Sequence, residues 1–185
     1  MRTLRLLLVG ALLTALTVAA ASDPSPYVDF EERQIKALSE DQVAGYLAGR
    51  GMRLALAAEL NRFPGPKHVI ELADELELEA SQRTAVQRSF DRMHRDAVSL
   101  GQELVARERE LDRLFAGGRV DEAGLEKVVA EIGRVTGQLR FVHLRAHLDM
   151  RDVLSGDQID SYTALRGYAP STHPPEGGEC PHGGQ

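Results

Sequence analysis

The chain has no tryptophan, only five phenylalanines and four tyrosines, and one cysteine in 185 residues. So small an aromatic supply argues against a sandwich or barrel core and leaves Leu, Val and Ala, the residues of packed helices, to fill the interior. Cys180 has no partner for an internal disulfide; in an oxidising compartment it is free, paired with another chain or a metal ligand. Positive charge is also scarce. Beyond residue 21, 20 Lys and Arg stand against 28 Asp and Glu, a net of −8, which argues against sequence-independent nucleic-acid binding. Arg83, Arg88, Arg92 and Arg95 do cluster, in the usual pattern of a solvated face paired with acids. There is no phosphate loop, nucleophile elbow, His-Glu-x-x-His or paired-cysteine zinc motif, so no enzymatic activity is expected.

Long hydrophobic runs are limited to one, Leu6 to Ala21. Arg2 and Arg5 precede it and Ala19-Ala20-Ala21 ends it, the pattern of a secretory signal peptide over residues 1–21. The run is short of the roughly 20 apolar residues that a membrane span needs. Cleavage after Ala21 is expected, with an uncleaved N-terminal anchor facing the periplasm as the alternative. No cysteine sits at the junction to accept a lipid. Nothing later in the chain has the character of a span, so no stable membrane insertion is expected after cleavage.

The remaining chain has the length of one domain. Residues 22–37 open with Asp23-Pro24-Ser25-Pro26 and read as an extended or mobile arm. A first helix is predicted from Glu40 to Asn61, with Val43, Leu47, Leu54 and Ala58 on its buried face and Phe63-Pro64-Gly65-Pro66 as its stop. Pro66 suits the first position of a short helix over Lys67 to Leu76. From Glu79 to Phe115 apolar residues recur every seven positions, as Val86, Met93, Leu100 and Leu114 beside Phe90, Ala97, Leu104 and Leu111. Leu125, Ile132, Leu139, Ala146 and Val153 repeat the spacing between Asp121 and Leu154, accompanied by Val128, Val135 and Val142. A period of 3.5 means coiled-coil-like packing, and the short connection Ala116 to Val120 forces the two helices to run antiparallel. A last helix follows Ser155 to about Arg166, and residues 169–185 form a Gly/Pro-rich tail. The predicted fold is therefore all-α, a long antiparallel hairpin with short flanking helices. Its apolar flanks call for a second copy or a bound partner.

Leu-Ser-x-x-Gln occurs as Leu38-Ser39-Glu40-Asp41-Gln42 and Leu154-Ser155-Gly156-Asp157-Gln158; a variant, Leu78-Glu79-Ala80-Ser81-Gln82, lacks the hydroxyl. Each has the chemistry of a capping box that starts a helix. Repetition of the motif in an exported helical chain resembles the Spy/CpxP family of periplasmic chaperones and stress adaptors, which has zinc- and nickel-responsive relatives. The likeness runs from about Leu38 to Leu165. It implies a helical domain over residues 38–168, a cradle-like antiparallel homodimer, and periplasmic, ATP-independent action on unfolded clients or as an adaptor for a membrane sensor kinase, with no cofactor required. It also implies that Leu38, Ser39, Gln42, Leu78, Gln82, Leu154, Ser155 and Gln158 have structural roles.

The alternative function is a periplasmic heavy-metal sensor or resistance protein for Zn, Cu or Ni. His143 and His147 stand one turn apart on one helical face, with Met150 following on the same side. Two imidazoles so spaced can chelate an ion. Counted from the Gly117-Gly118 turn, His94 comes level with His143, so a three-histidine cluster fits the heptad register as well as ordinary seam-edge residues do. Nickel- and cobalt-sensing relatives carry His-x-x-x-His in their first helix, whereas residues 22–67 here contain no histidine. The tail offers His173, Cys180 and His182, a thin version of the His-rich ends of zinc-responsive relatives.

Overall fold

The computed structural model describes residues 25–118 and 120–168. Among them, six α-helices follow a 3-10 turn at Val28–Phe30: α1 (Glu40–Leu47), α2 (Leu56–Glu59), α3 (Pro66–Glu71), α4 (Ala80–Ala116), α5 (Glu122–Val153) and α6 (Gly156–Leu165). No strand occurs among the described residues. The 37-residue α4 and 32-residue α5 are arms of about 55 and 48 Å. They lie antiparallel and make the most extensive contact in the fold. The seam follows the heptads. Ala97, Leu104, Val135 and Leu139 are buried in its middle, with Leu100, Ile132 and Val142 around them. Each Leu or Val so removed from water contributes about 1.5–3 kcal/mol before conformational entropy is set against it.

The open end of the hairpin holds the second core, in which Val69 of α3, Val86 of α4, Met150 of α5, and Ile159 and Tyr162 of α6 are buried with Leu76, Leu78 and Leu154. The motif residues organise this end. Ser39 and Ser155 accept from the Gln42 and Gln158 backbone N–H groups, and each Gln Oε1 accepts from its serine's N–H, so two capping boxes are complete. In the variant, Gln82 Oε1 accepts from the Glu79 N–H. Gln82 and Gln158 also face each other: their amides exchange hydrogen bonds of 2.8 and 3.1 Å, and their Nε2 groups donate to the Val153 and Leu76 carbonyls. The motifs at α4 and α6 are thus one joint, and that of α1 stands apart from it.

Two expectations are corrected. The helix predicted over residues 40–61 is two helices, α1 and α2, separated by turns in which Gly49, Met52 and Arg53 have φ of 61°, 43° and 65°. The left-handed region cannot propagate an α-helix. The break lets α1 lie across α4 at Gly101, where any side chain would overlap the Tyr46 carbonyl. In the predicted extended or mobile arm, residues 25–37 form turns, and Ile35 is buried with Leu38 against Val105 of α4. The signal-peptide assignment, the first residues of the arm and the tail assignment lie outside the described residues. No described helix is long and apolar enough to cross a membrane.

Candidate metal-binding cavity

The break between α1 and α2 opens a cavity of about 530 Å³ between the turns at 48–55, the start of α3, and the inner faces of α4 and α5. His94, His143 and His147 all border it. They are not equivalent. His94 is exposed, stacks on Phe90 with ring centroids 5.7 Å apart, and places Nε2 3.2 Å from the Ala48 carbonyl. His143 and His147 are buried on consecutive turns of α5, 3% and 8% exposed. His147 Nδ1 is 2.7 Å from the Phe63 carbonyl, which can only accept, so Nδ1 is the donor and the ring is held in one orientation. His143 Nε2 is buried with no hydrogen-bond partner. Burial, and then the neighbouring His147, push the His143 pKa down to about 4, so its ring is neutral and has a lone pair to give.

Glu59 is a further polar group of the cavity, and sequence reasoning missed it, because a continuous first helix would have carried it as one surface acid among many. Here it ends the four-residue α2 and is buried. Tyr162 and Tyr168 donate to its Oε1 at 2.6 and 3.0 Å. Burial, and then the hydrogen bond to Glu59, push the Tyr162 hydroxyl well above its ordinary range. Glu59 Oε2 has no hydrogen-bond partner and lies 3.8 Å from His147 Nδ1. Gly65 makes room for the pair: a Cβ there would come within 3.1 Å of the His147 ring and 3.3 Å of Glu59 Oε2.

The predicted three-histidine cluster does not form. Among the described residues no three His, Cys, Asp or Glu side chains are grouped as a metal ion requires. His94 fails because its ring lies against the end of α1, and Met150 because it points into the apolar core, fully buried beside Val86 and Tyr162. His173, Cys180 and His182 lie outside the described residues. Of the predicted ligands, the structure therefore sets His143 and His147 side by side in one buried wall. Two imidazoles and a carboxyl group are donor types that zinc, copper and nickel accept, although as folded they are an incomplete set. The basic cluster of α4 behaves as expected for a solvated face where partners are seen: Arg83 pairs with Asp74 at 2.7 Å, and Arg92 with Asp149 at 2.6 Å.

The described residues thus form a long helical hairpin whose open end holds a buried histidine pair. The family model described as heavy-metal resistance matches residues 61–161, more than half of the chain. The chain belongs to that family. The match begins two residues after Glu59 and covers α3 to α5, both buried histidines of the cavity and most of α6. No curated protein and no solved structure matches the chain.

Proposed function

We propose that this protein is an exported, non-enzymatic heavy-metal-binding protein that takes a divalent ion of the zinc, copper or nickel type into the cavity at the open end of its hairpin. His143 and His147 are the ligands in this reading, and Glu59 is the carboxylate beside them. The observation that carries it is the state of the two rings inside a chain of the heavy-metal resistance family. One donates from Nδ1 to a backbone carbonyl, which leaves Nε2 as its coordinating nitrogen in this reading, and the other has a buried Nε2 with no protein partner. An unsatisfied buried polar atom costs about 1–3 kcal/mol, which a ligand at that atom would offset. Titration calorimetry of residues 22–185 with Zn(II), Cu(II) and Ni(II) tests the reading. Near-stoichiometric binding that weakens at least tenfold in His143→Ala and in His147→Ala supports it; undiminished binding in both removes it.

A second reading rests on the outer face of α5, where Val129, Phe141 and Leu148 are 50–61% exposed. On that face Gly133 and Gly137 have open space at their Cβ positions. Glu122 and Glu126 are exposed towards one end of α5, and Arg140, Arg145 and Arg151 towards the other. Two copies of the helix laid antiparallel would therefore set acids against bases, whereas parallel copies would oppose like charges. An antiparallel homodimer resting on α5 is the assembly this face favours, in keeping with the likeness to Spy/CpxP proteins. The same apolar row also suits an unfolded client or the sensor domain of a membrane kinase. Slowing of client aggregation without nucleotide is the expected outcome of the chaperone reading, and no effect on several unrelated clients would leave metal binding alone.

A further inference from the structure

We infer that the cavity takes its ion together with an exogenous organic carboxylate, which ligates the ion beside His143 and His147 and rests its charge on Arg53 and Lys67. The inference rests on the proposed metal binding and names what completes that site. Zinc takes about four ligands, whereas among the described residues no three His, Cys, Asp or Glu side chains are grouped for one ion. His143 Nε2 nevertheless stands buried and unpartnered at the cavity wall. At about 530 Å³ the cavity has the size of a small-molecule site, roughly 300–1,000 Å³, and far exceeds the needs of a bare ion.

Charge decides what kind of molecule shares the space. Arg50, Arg53, Lys67 and Arg166 line the cavity against a single lining carboxylate, Glu59, in a chain whose net charge is −6. Glu59 lies 3.5 Å from Arg166, and Lys67 pairs with exposed Glu71 at 3.7 Å. Arg50 donates to the Asp41 carbonyl at 3.3 Å, a partner that leaves its charge uncompensated. A cation entering alone would meet this field as like charge, while a carboxylate entering with it is attracted. The cations also stand on the segments that cover the imidazoles. A Cβ at Gly51, between Arg50 and Arg53, would lie 3.9 Å from His143 Nδ1, and one at Gly65, two residues before Lys67, 3.3 Å from His147 Nε2. Met52, Leu56, Phe90 and Met93 add apolar walls, which favour a ligand with a carbon body over an inorganic oxyanion.

The test is zinc titration of residues 22–185 at constant ionic strength, alone, with millimolar acetate, succinate or benzoate, each a weak zinc ligand in water, and with inorganic sulfate. An Arg53→Gln/Lys67→Gln variant, altered at two exposed positions and keeping His143, His147 and Glu59, is run beside the parent with its helicity checked. At least one carboxylate is expected to tighten zinc binding to the parent about tenfold and to give the variant almost none of that gain. Cobalt(II) in place of zinc is expected to broaden the proton NMR lines of that carboxylate in the presence of the parent and far less with the variant. No gain from any carboxylate, an equal gain in the variant, an equal gain from sulfate, or lines left sharp by cobalt overturns the joint site while zinc binding itself stands. A parent that takes up zinc neither alone nor with a carboxylate overturns the metal reading as well.

Discussion

At position 101 the absence of a side chain is what lets α1 rest on α4, since a single methyl group would overlap the Tyr46 carbonyl. Gly101→Ala is therefore expected to destabilise the fold by about 1–3 kcal/mol, as overpacking does, although Ala is the better helix former. Chemical denaturation checks this; a neutral or stabilising result would mean that α1 sits elsewhere. His143 gives a pH signature. Its folded pKa is about 4 and its ordinary value 6.5, so as pH falls below about 6.5 the unfolded chain gains a proton that the folded chain refuses until about pH 4. Stability from this ring is complete above pH 6.5 and lost on descending to 4, an effect of about 3 kcal/mol at most. The Tm of the metal-free protein should accordingly fall more steeply over that range than that of His143→Gln, and parallel curves would show that the ring is not buried. The histidine pair was legible in the sequence because four-residue spacing places two side chains on one helical face. Glu59 was not, since its burial depends on Tyr162 and Tyr168, more than a hundred residues away.

The hairpin was the most readable element, because heptad spacing and a five-residue connection leave two long helices no other arrangement, and α4 and α5 begin and end within one residue of where the pattern places them. Leu104, 3% exposed, lies at the middle of the seam. Leu104→Asp is expected to cost several kcal/mol by placing a charge in an apolar layer, and a retained melting temperature would show the seam to be misassigned. The first helix was less readable. Its glycines marked weakness, but the break is completed by left-handed Met52 and Arg53, residue types that carry no signal for that conformation. The recurring motif was read as helix punctuation, correctly, yet repetition alone could not show that Gln82 and Gln158 meet. A double-mutant cycle of Gln82→Ala and Gln158→Ala should give a coupling of about 1 kcal/mol, and strict additivity would mean that the two amides stabilise their helix starts independently.

For the whole molecule, the exposed row on α5 leads to an assembly prediction. Light scattering of residues 22–185 is expected to give a dimer's mass, and Phe141→Asp to shift it to a monomer of unchanged helicity; a parent that is monomeric at micromolar concentration would remove the pairing through α5. Metal binding is the more central claim, and the most direct measurement is the imidazole nitrogen NMR spectrum of protein labelled with ¹⁵N at histidine, followed through addition of Zn(II). The His143 and His147 Nε2 resonances are expected to move together and saturate at one equivalent, while those of His68 and His94 stay in place. Saturation at one equivalent with His143 and His147 unmoved would contradict a metal site in this cavity.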